Sequence, residues 1–180
     1  MLRTIGTFLF FFFIGVALAE TDKEMRVIAY IESSSGKNLN HPVVVTGMHK
    51  GHQASGKYGL MPLTVKDLVS KNFELRRYSY LMYLTPQEIT AEINVDKVAD
   101  KTIATFLWNK LRKKFGPPRA AYAWYFGSSK AQKVAHDDLL QAEYVKKFMK
   151  EMERINEEAI KRTRPVGISA ARRSSNVCRP

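Results

Sequence analysis

Glu32 stands at a chemical boundary. An apolar stretch carrying Met25, Ile28, Tyr30 and Ile31 precedes it, and the polar run Ser33-Ser34-Ser35-Gly36 follows. A carboxyl group half-buried at such a boundary has its pKa raised toward ~6, because burial disfavours the charged form, and it then serves as an acid near neutrality. By local sequence alone Glu32 is equally a residue that ends a helix in water. The next 34 residues, 33 to 66, contain no Asp or Glu but do contain Lys37, Lys50, Lys57, His41, His49 and His52. Most glycoside-cleaving sites use two carboxylates, ~5–5.5 Å or ~6.5–9.5 Å apart. A single acid facing a basic segment would need its substrate to complete the reaction.

Other reactive residue types give weaker patterns. His41, His49 and His52 have no carboxylate near them in sequence, so they read as solvated or ligand-facing side chains rather than a metal set. Trp124, Tyr125 and Phe126 form an aromatic run suited either to stacking on a sugar ring or to a core. Asp137-Asp138 suits the positive end of a helix dipole. A lone cysteine, Cys178, leaves no internal disulfide framework and no Cys-based zinc cluster.

The elements that must hold these residues read mainly as helices. Met25 to Ile31 predicts a short first helix ending near Glu32, broken by Ser33–Gly36. Val43-Val44-Val45-Thr46, punctuated by Gly47, Gly51 and Gly56, predicts a small hairpin. Thr64 is expected to cap a helix through Leu68. Thr85-Pro86-Gln87-Glu88 is a capping box with proline at the first helical position. Val98, Ala99, Ile103, Phe106, Leu107 and Leu111 keep helical spacing up to Gly116-Pro117-Pro118, and a short helix from Ala120 to Phe126 stops at Gly127. Leu140, Tyr144, Val145, Phe148, Met152, Ile155 and Ala159 predict the apolar face of one last helix, with Asp137-Asp138 at its start.

Ile31-Glu32-Ser33-Ser34, then Tyr58-Gly59-Leu60-Met61-Pro62 with Thr64, then Ala121 to Gly127, then Tyr144-Val145 fall in one order and approximate spacing. In these segments the chain resembles the soluble-type lytic transglycosylases, relatives of goose-type lysozymes, over about residues 24–150. The resemblance implies a mainly α (α+β) domain, a lysozyme-like fold with a small β-hairpin after the catalytic helix. It implies Glu32 as the catalytic group, and Ser33, Ser34, Tyr58, Gly59, Leu60, Met61, Tyr122, Trp124, Tyr125 and Tyr144 as substrate contacts. The implied substrate is the peptidoglycan glycan strand, cut between N-acetylmuramic acid and N-acetylglucosamine with formation of a 1,6-anhydro sugar, with no metal and no cofactor. Three positions depart from the family pattern: Pro62 replaces a glutamine, Trp124 a tyrosine that orients the catalytic carboxyl, and Tyr125 an asparagine. A hydroxyl from Tyr122 or Tyr125 is the expected substitute. The longer hairpin is similar to phage-associated branches. Two alternatives stay open: a goose-type muramidase drawing a second carboxylate from the Asp96–Asp100 region, and a peptidoglycan-binding protein without turnover.

Composition frames these readings. The chain has 180 residues and a formal net charge of +12, with 45% apolar and 26% charged residues, which is the profile of one globular domain. Residues 1–19, MLRTIGTFLFFFFIGVALA, have the basic start, apolar run and small-residue end of a signal peptide, so an exported protein with no stable membrane span after cleavage is expected. Residues 161–180 hold six basic residues and no acid, and read as a flexible basic tail. The body, residues 20–160, carries 22 basic against 17 acidic residues. A monomer near an anionic wall fits that distribution better than a nucleic-acid binder does.

Overall fold

The computed structural model describes residues 20–163. The expected signal peptide at 1–19 and residues 164–180 of the expected tail, Cys178 included, lie outside the described residues. The architecture is mainly helical. Helix α1 covers 20–33, followed by α2 (Pro62–Lys71), a 3₁₀ segment (Phe73–Tyr83), α3 (Pro86–Val95), α4 (Lys97–Phe115) and α5 (Pro117–Phe126). Two short helices, α6 (Ser128–Lys133) and α7 (His136–Gln141), lead into the long α8 (Glu143–Thr163). Among the described residues no helix is long and apolar enough to cross a membrane.

Helix boundaries follow their capping chemistry. Thr85 Oγ1 accepts the Glu88 N–H while the Glu88 carboxylate accepts the Thr85 N–H, the reciprocal pair that starts α3. Asp96 Oδ1 accepts the N–H groups of Val98 and Ala99, each at 2.9 Å, and starts α4. Gly116, at φ +75°, ends α4, and Pro117 begins α5 at once. α5 packs against α4 on one side and α8 on the other, and the core closes on Trp108 of α4 and Phe148 of α8, whose rings lie 5.5 Å apart. α1 buries Met25, Val27, Ile28 and Ala29 in the same core; Tyr30 is exposed rather than part of that face.

Several boundaries differ from expectation. The expected hairpin is replaced, among the described residues, by two isolated antiparallel bridges, Val43 with Gln53 and Ser55 with Leu60. Val43 and Val45 of the β-branched run are exposed, Val45 at 76%, and only Val44 is half-buried, so the run packs little, and strand preference is largely a packing preference. A 3₁₀ turn at Gly47–His49, with Gly47 and Gly51 at positive φ, takes up the chain where a ladder would continue. α2 starts on Pro62 with Met61 as its N-cap, so Thr64 lies inside the first turn instead of capping it. The last apolar face is split: Leu140 belongs to α7, and a break at Ala142 precedes α8. Asp137 and Asp138 sit in the first turn of α7, not before α8, and α8 runs on through Lys161 and Arg162 to Thr163.

Candidate active site

The last turn of α1 carries Glu32 to the protein surface and Ser33 into it. Ser33 is buried, and its hydroxyl shares its one proton between the Lys57 carbonyl at 2.7 Å and the Ala29 carbonyl at 3.0 Å, and accepts the Gly36 N–H at 2.8 Å. Ser34 and Ser35, at φ 50° and 64°, turn the chain sharply out of the helix. Ser33 therefore ties α1 to the turn 55–60, a loop closed by the Ser55–Leu60 bridge, whose two backbone hydrogen bonds are each 2.8 Å.

That turn lays backbone directly over Glu32. Gly59, at φ +67°, is so close that a Cβ there would stand 2.6 Å from Glu32 Oε2. On the other side Tyr144, at the start of α8, donates its hydroxyl to Glu32 Oε1 at 2.7 Å. Burial pushes the Glu32 carboxyl up to about 7, while the Tyr144 hydroxyl and the Trp124 indole N–H, which favour the charged form, hold it down. Glu32 also raises the Tyr144 hydroxyl well above the ordinary tyrosine value, after burial, the larger cause. Among the described residues no Lys or Arg forms an ion pair with Glu32. A half-buried carboxyl with two neutral donors, and a pKa near neutrality, exchanges its proton within the physiological range.

The expected site residues divide into two groups. Gly59, Trp124 and Tyr144 meet at Glu32, and Tyr125 joins them by stacking on Tyr144 with centroids 4.8 Å apart and planes 22° apart. Tyr125 is 61% exposed, an aromatic face open to solvent behind Tyr144, and Ser34, two residues after Glu32, is exposed. Ser33, Tyr58 and Leu60 are buried, and Met61 is the cap of α2. Tyr122 stacks on Phe126 at 4.5 Å. The hydroxyl expected from Tyr122 or Tyr125 comes instead from Tyr144, 112 positions along the chain. Trp124 also packs edge-on against Trp108 at 6.1 Å, so the run 124–126 is part core and part surface.

The basic segment is more ordered than its composition suggests. His41 is buried rather than solvated, with Nε2 at 2.9 Å from the Gly56 carbonyl oxygen, and its own carbonyl accepts the Gln53 amide. Burial, and then the nearby His52, lower His49. Among the described residues no three His, Cys, Asp or Glu side chains gather as a metal set. A second carboxylate does lie behind the segment. Asp100 of α4 is buried, accepts the Lys57 N–H at 2.7 Å, and is pushed up to about 6 by burial, against the Lys57 backbone bond and the charges of Lys57 and Lys97. Asp100 falls in the Asp96–Asp100 region expected to supply a second carboxylate to a muramidase, and it lies on the buried face of α4 beside Ala99 and Ile103.

Two surface grooves lie elsewhere. One follows α8 past Leu140, Val145, Met149 and Met152, and the other runs between Val43, His52, Gln53, Pro62, Thr90 and Asn94; Glu32 lines neither. No protein-family model, no curated protein and no solved structure matches the chain.

Proposed function

We propose that the chain is a peptidoglycan lytic transglycosylase of lysozyme-like architecture, in which Glu32 is the one acid and base. The observation that carries this reading is Glu32 itself: a carboxyl in the last turn of an apolar helix, pushed up to about 7, with Tyr144 on one oxygen and the Gly59 backbone on the other. The protonated group donates to the glycosidic oxygen as its bond to C1 of the muramoyl residue breaks. The carboxylate so formed takes the proton of that residue's C6 hydroxyl, whose oxygen bonds to C1. The products are a free 4-hydroxyl on the leaving sugar and a 1,6-anhydro ring, with no water consumed and Glu32 protonated again. A pKa near 7 suits a group that gives and then takes a proton at neutral pH.

The alternative of a hydrolase drawing on Asp96 or Asp100 finds less support. Asp96 is engaged in capping α4, and Asp100 is buried under the turn 55–60, where its Oδ2 holds a backbone N–H. Pro62, in place of the family's glutamine, is buried as the first residue of α2. Exposed Tyr125, stacked on Tyr144, offers a sugar ring its face within reach of the acid.

Mass spectrometry of sacculi digested with the purified protein tests the reading. Released muropeptides with anhydro ends, one water lighter than reducing ends, are the expected products, and they should vanish with Glu32→Gln. Reducing ends would mean hydrolysis. Binding of sacculi with no release by the wild-type protein would sink the enzymatic reading altogether.

A further inference from the structure

The turn that covers Glu32 is clamped from beneath by side chains that touch no part of the proposed reaction. Asp100 of α4 takes the Lys57 N–H on Oδ2 at 2.7 Å, and Asn94 of α3 takes the Gly56 N–H on Oδ1 at 2.7 Å. His41 meets the Gly56 carbonyl at 2.9 Å, and Ser33 meets the Lys57 carbonyl at 2.7 Å. Two consecutive residues of the turn, Gly56 and Lys57, thus have both donors and both acceptors held by four separate parts of the chain. Gly56 lies so close to Asp100 that a Cβ would stand 2.5 Å from its Cγ, and at φ +72° the position favours glycine twice over. Among the described residues Asp100 Oδ1 is buried with no well-formed hydrogen bond, though the Tyr58 backbone also favours the charged form of this carboxyl. Such a group costs stability, so its retention calls for a local reason. Three residues further on, the same turn presents Gly59 to Glu32.

We propose that Asp100 is a positioning residue for Glu32: from α4 it holds the turn 55–60 down, so that the Gly59 backbone closes over Oε2 and keeps water from it. Asn94 is its weaker partner in the same clamp. Asp100 itself faces Lys57, Lys97 and Tyr58, and Glu32 faces Tyr144 and Trp124, with Tyr125 behind Tyr144. The backbone of the turn joins the two carboxyls, held by Asp100 at the Lys57 N–H and closing over Glu32 at Gly59. The clamp rests on this geometry; its consequence for turnover rests on the function proposed above.

The titration of Glu32, followed by carboxyl-carbon NMR in the wild-type chain and in Asp100→Ala, separates the two claims. In a folded Asp100→Ala protein the turn lifts, water reaches Oε2, and the Glu32 midpoint falls by about one pH unit. In the sacculus assay kcat falls about tenfold while KM moves less than twofold, because a misplaced acid affects the chemical step. An unchanged Glu32 midpoint in that variant, whatever its stability, overturns the proposal. Should Asp100→Ala fail to fold, Asn94→Ala decides: a fall of about half a unit is expected, and none overturns the clamp. If the wild-type protein releases no muropeptide, the proposed function fails, and the NMR midpoints still test the clamp.

Discussion

Glu24 and Glu32 lie on one helix, about 12 Å apart along its axis, and burial raises both carboxyls. They differ in what answers that burial. Glu24 is 1% exposed; its Oε2 accepts the Trp108 indole N–H at 2.8 Å, and Arg112 donates to Oε1 at 3.1 Å with its Nε only 2.9 Å from Oε2. Every strong interaction there favours the charged form, and Arg112 cancels the charge. Among the described residues Glu32 meets an indole and a phenol but no cation. The same residue type, met by a tryptophan in each case, thus becomes a structural anchor at one end of α1 and a proton-exchanging group at the other. What separates them is one guanidinium.

The largest expected effect is at Glu32. Glu32→Gln should lower muropeptide release by about 10²–10⁴ while retaining sacculus binding, since a positioned acid or base supplies a rate factor of that order. Wild-type-like release from this variant would remove Glu32 from the chemistry. Glu24→Ala should leave chemistry alone and cost about 3–5 kcal/mol in urea unfolding, the penalty for breaking a buried pair and leaving Arg112 and the Trp108 N–H unanswered. If the two substitutions were equally destabilising, the contrast between the two ends of α1 would collapse.

Next comes a pH dependence with a definite sign. The folded Glu32 holds its proton up to about 7, against 4.5 when unfolded. Folding is therefore favoured at low pH by this group, and that contribution is lost as pH rises from 4.5 through about 7. With the carboxyl only half-buried, ionisation should cost about 2–3 kcal/mol at pH 8. Glu32→Gln should be more stable than wild type by that amount at pH 8 and equal to it at pH 4, measured by urea unfolding at both pH values. Activity should follow the same limb, falling above about pH 7 as the acid form disappears. A wild-type stability that rises from pH 5 to 8 relative to Glu32→Gln would reverse the assignment. Gly59→Ala acts on the other oxygen: positive φ and a Cβ at 2.6 Å from Oε2 predict a loss of about 1–3 kcal/mol in thermal or urea unfolding.

How much of this was legible in the sequence depends on how far apart the partners lie. The capping box at Thr85 and the glycine stops at Gly116 and Gly127 are local patterns, and each appears in the structure; of the expected last apolar face Tyr144, Val145, Phe148 and Ile155 are buried, while Leu140 and Ala159 are exposed. The break at Ala142 was hidden because Leu140 keeps helical spacing with Tyr144 across it. The segment Phe73–Tyr83 went unread because its buried residues, Leu75, Tyr78 and Leu81, recur every three positions, the period of a 3₁₀ helix rather than an α-helix. Of the strand-like valines only Val44 is half-buried, and Val43 and Val45 are left exposed. At the site, Glu32 was marked by the apolar-to-polar switch around it. Its partner Tyr144 is 112 positions away and Asp100 is 43 positions from Lys57, and no local period carries contacts of that separation.

Tyr144→Phe makes the finest distinction between the two carboxyls. The phenol is buried, packs its ring on Tyr125, and gives its one polar bond to Glu32 Oε1. Removing the oxygen leaves the ring and its stacking in place, so the fold should lose little, about 1 kcal/mol or less. The charged form of Glu32 loses the largest of the interactions favouring it, so its titration midpoint should rise above about 7, by roughly half to one unit. The alkaline limb of the activity profile should move up by the same amount, while the rate at its plateau falls because the carboxyl is less firmly aimed. The matching change at the other end, Arg112→Met, removes the cation from Glu24 and should raise that carboxyl too. It should do so without moving the activity profile. If Tyr144→Phe lowered the Glu32 midpoint, or left it alone, the hydroxyl would not be what holds this carboxyl down to about 7 in place of the cation that Glu24 has.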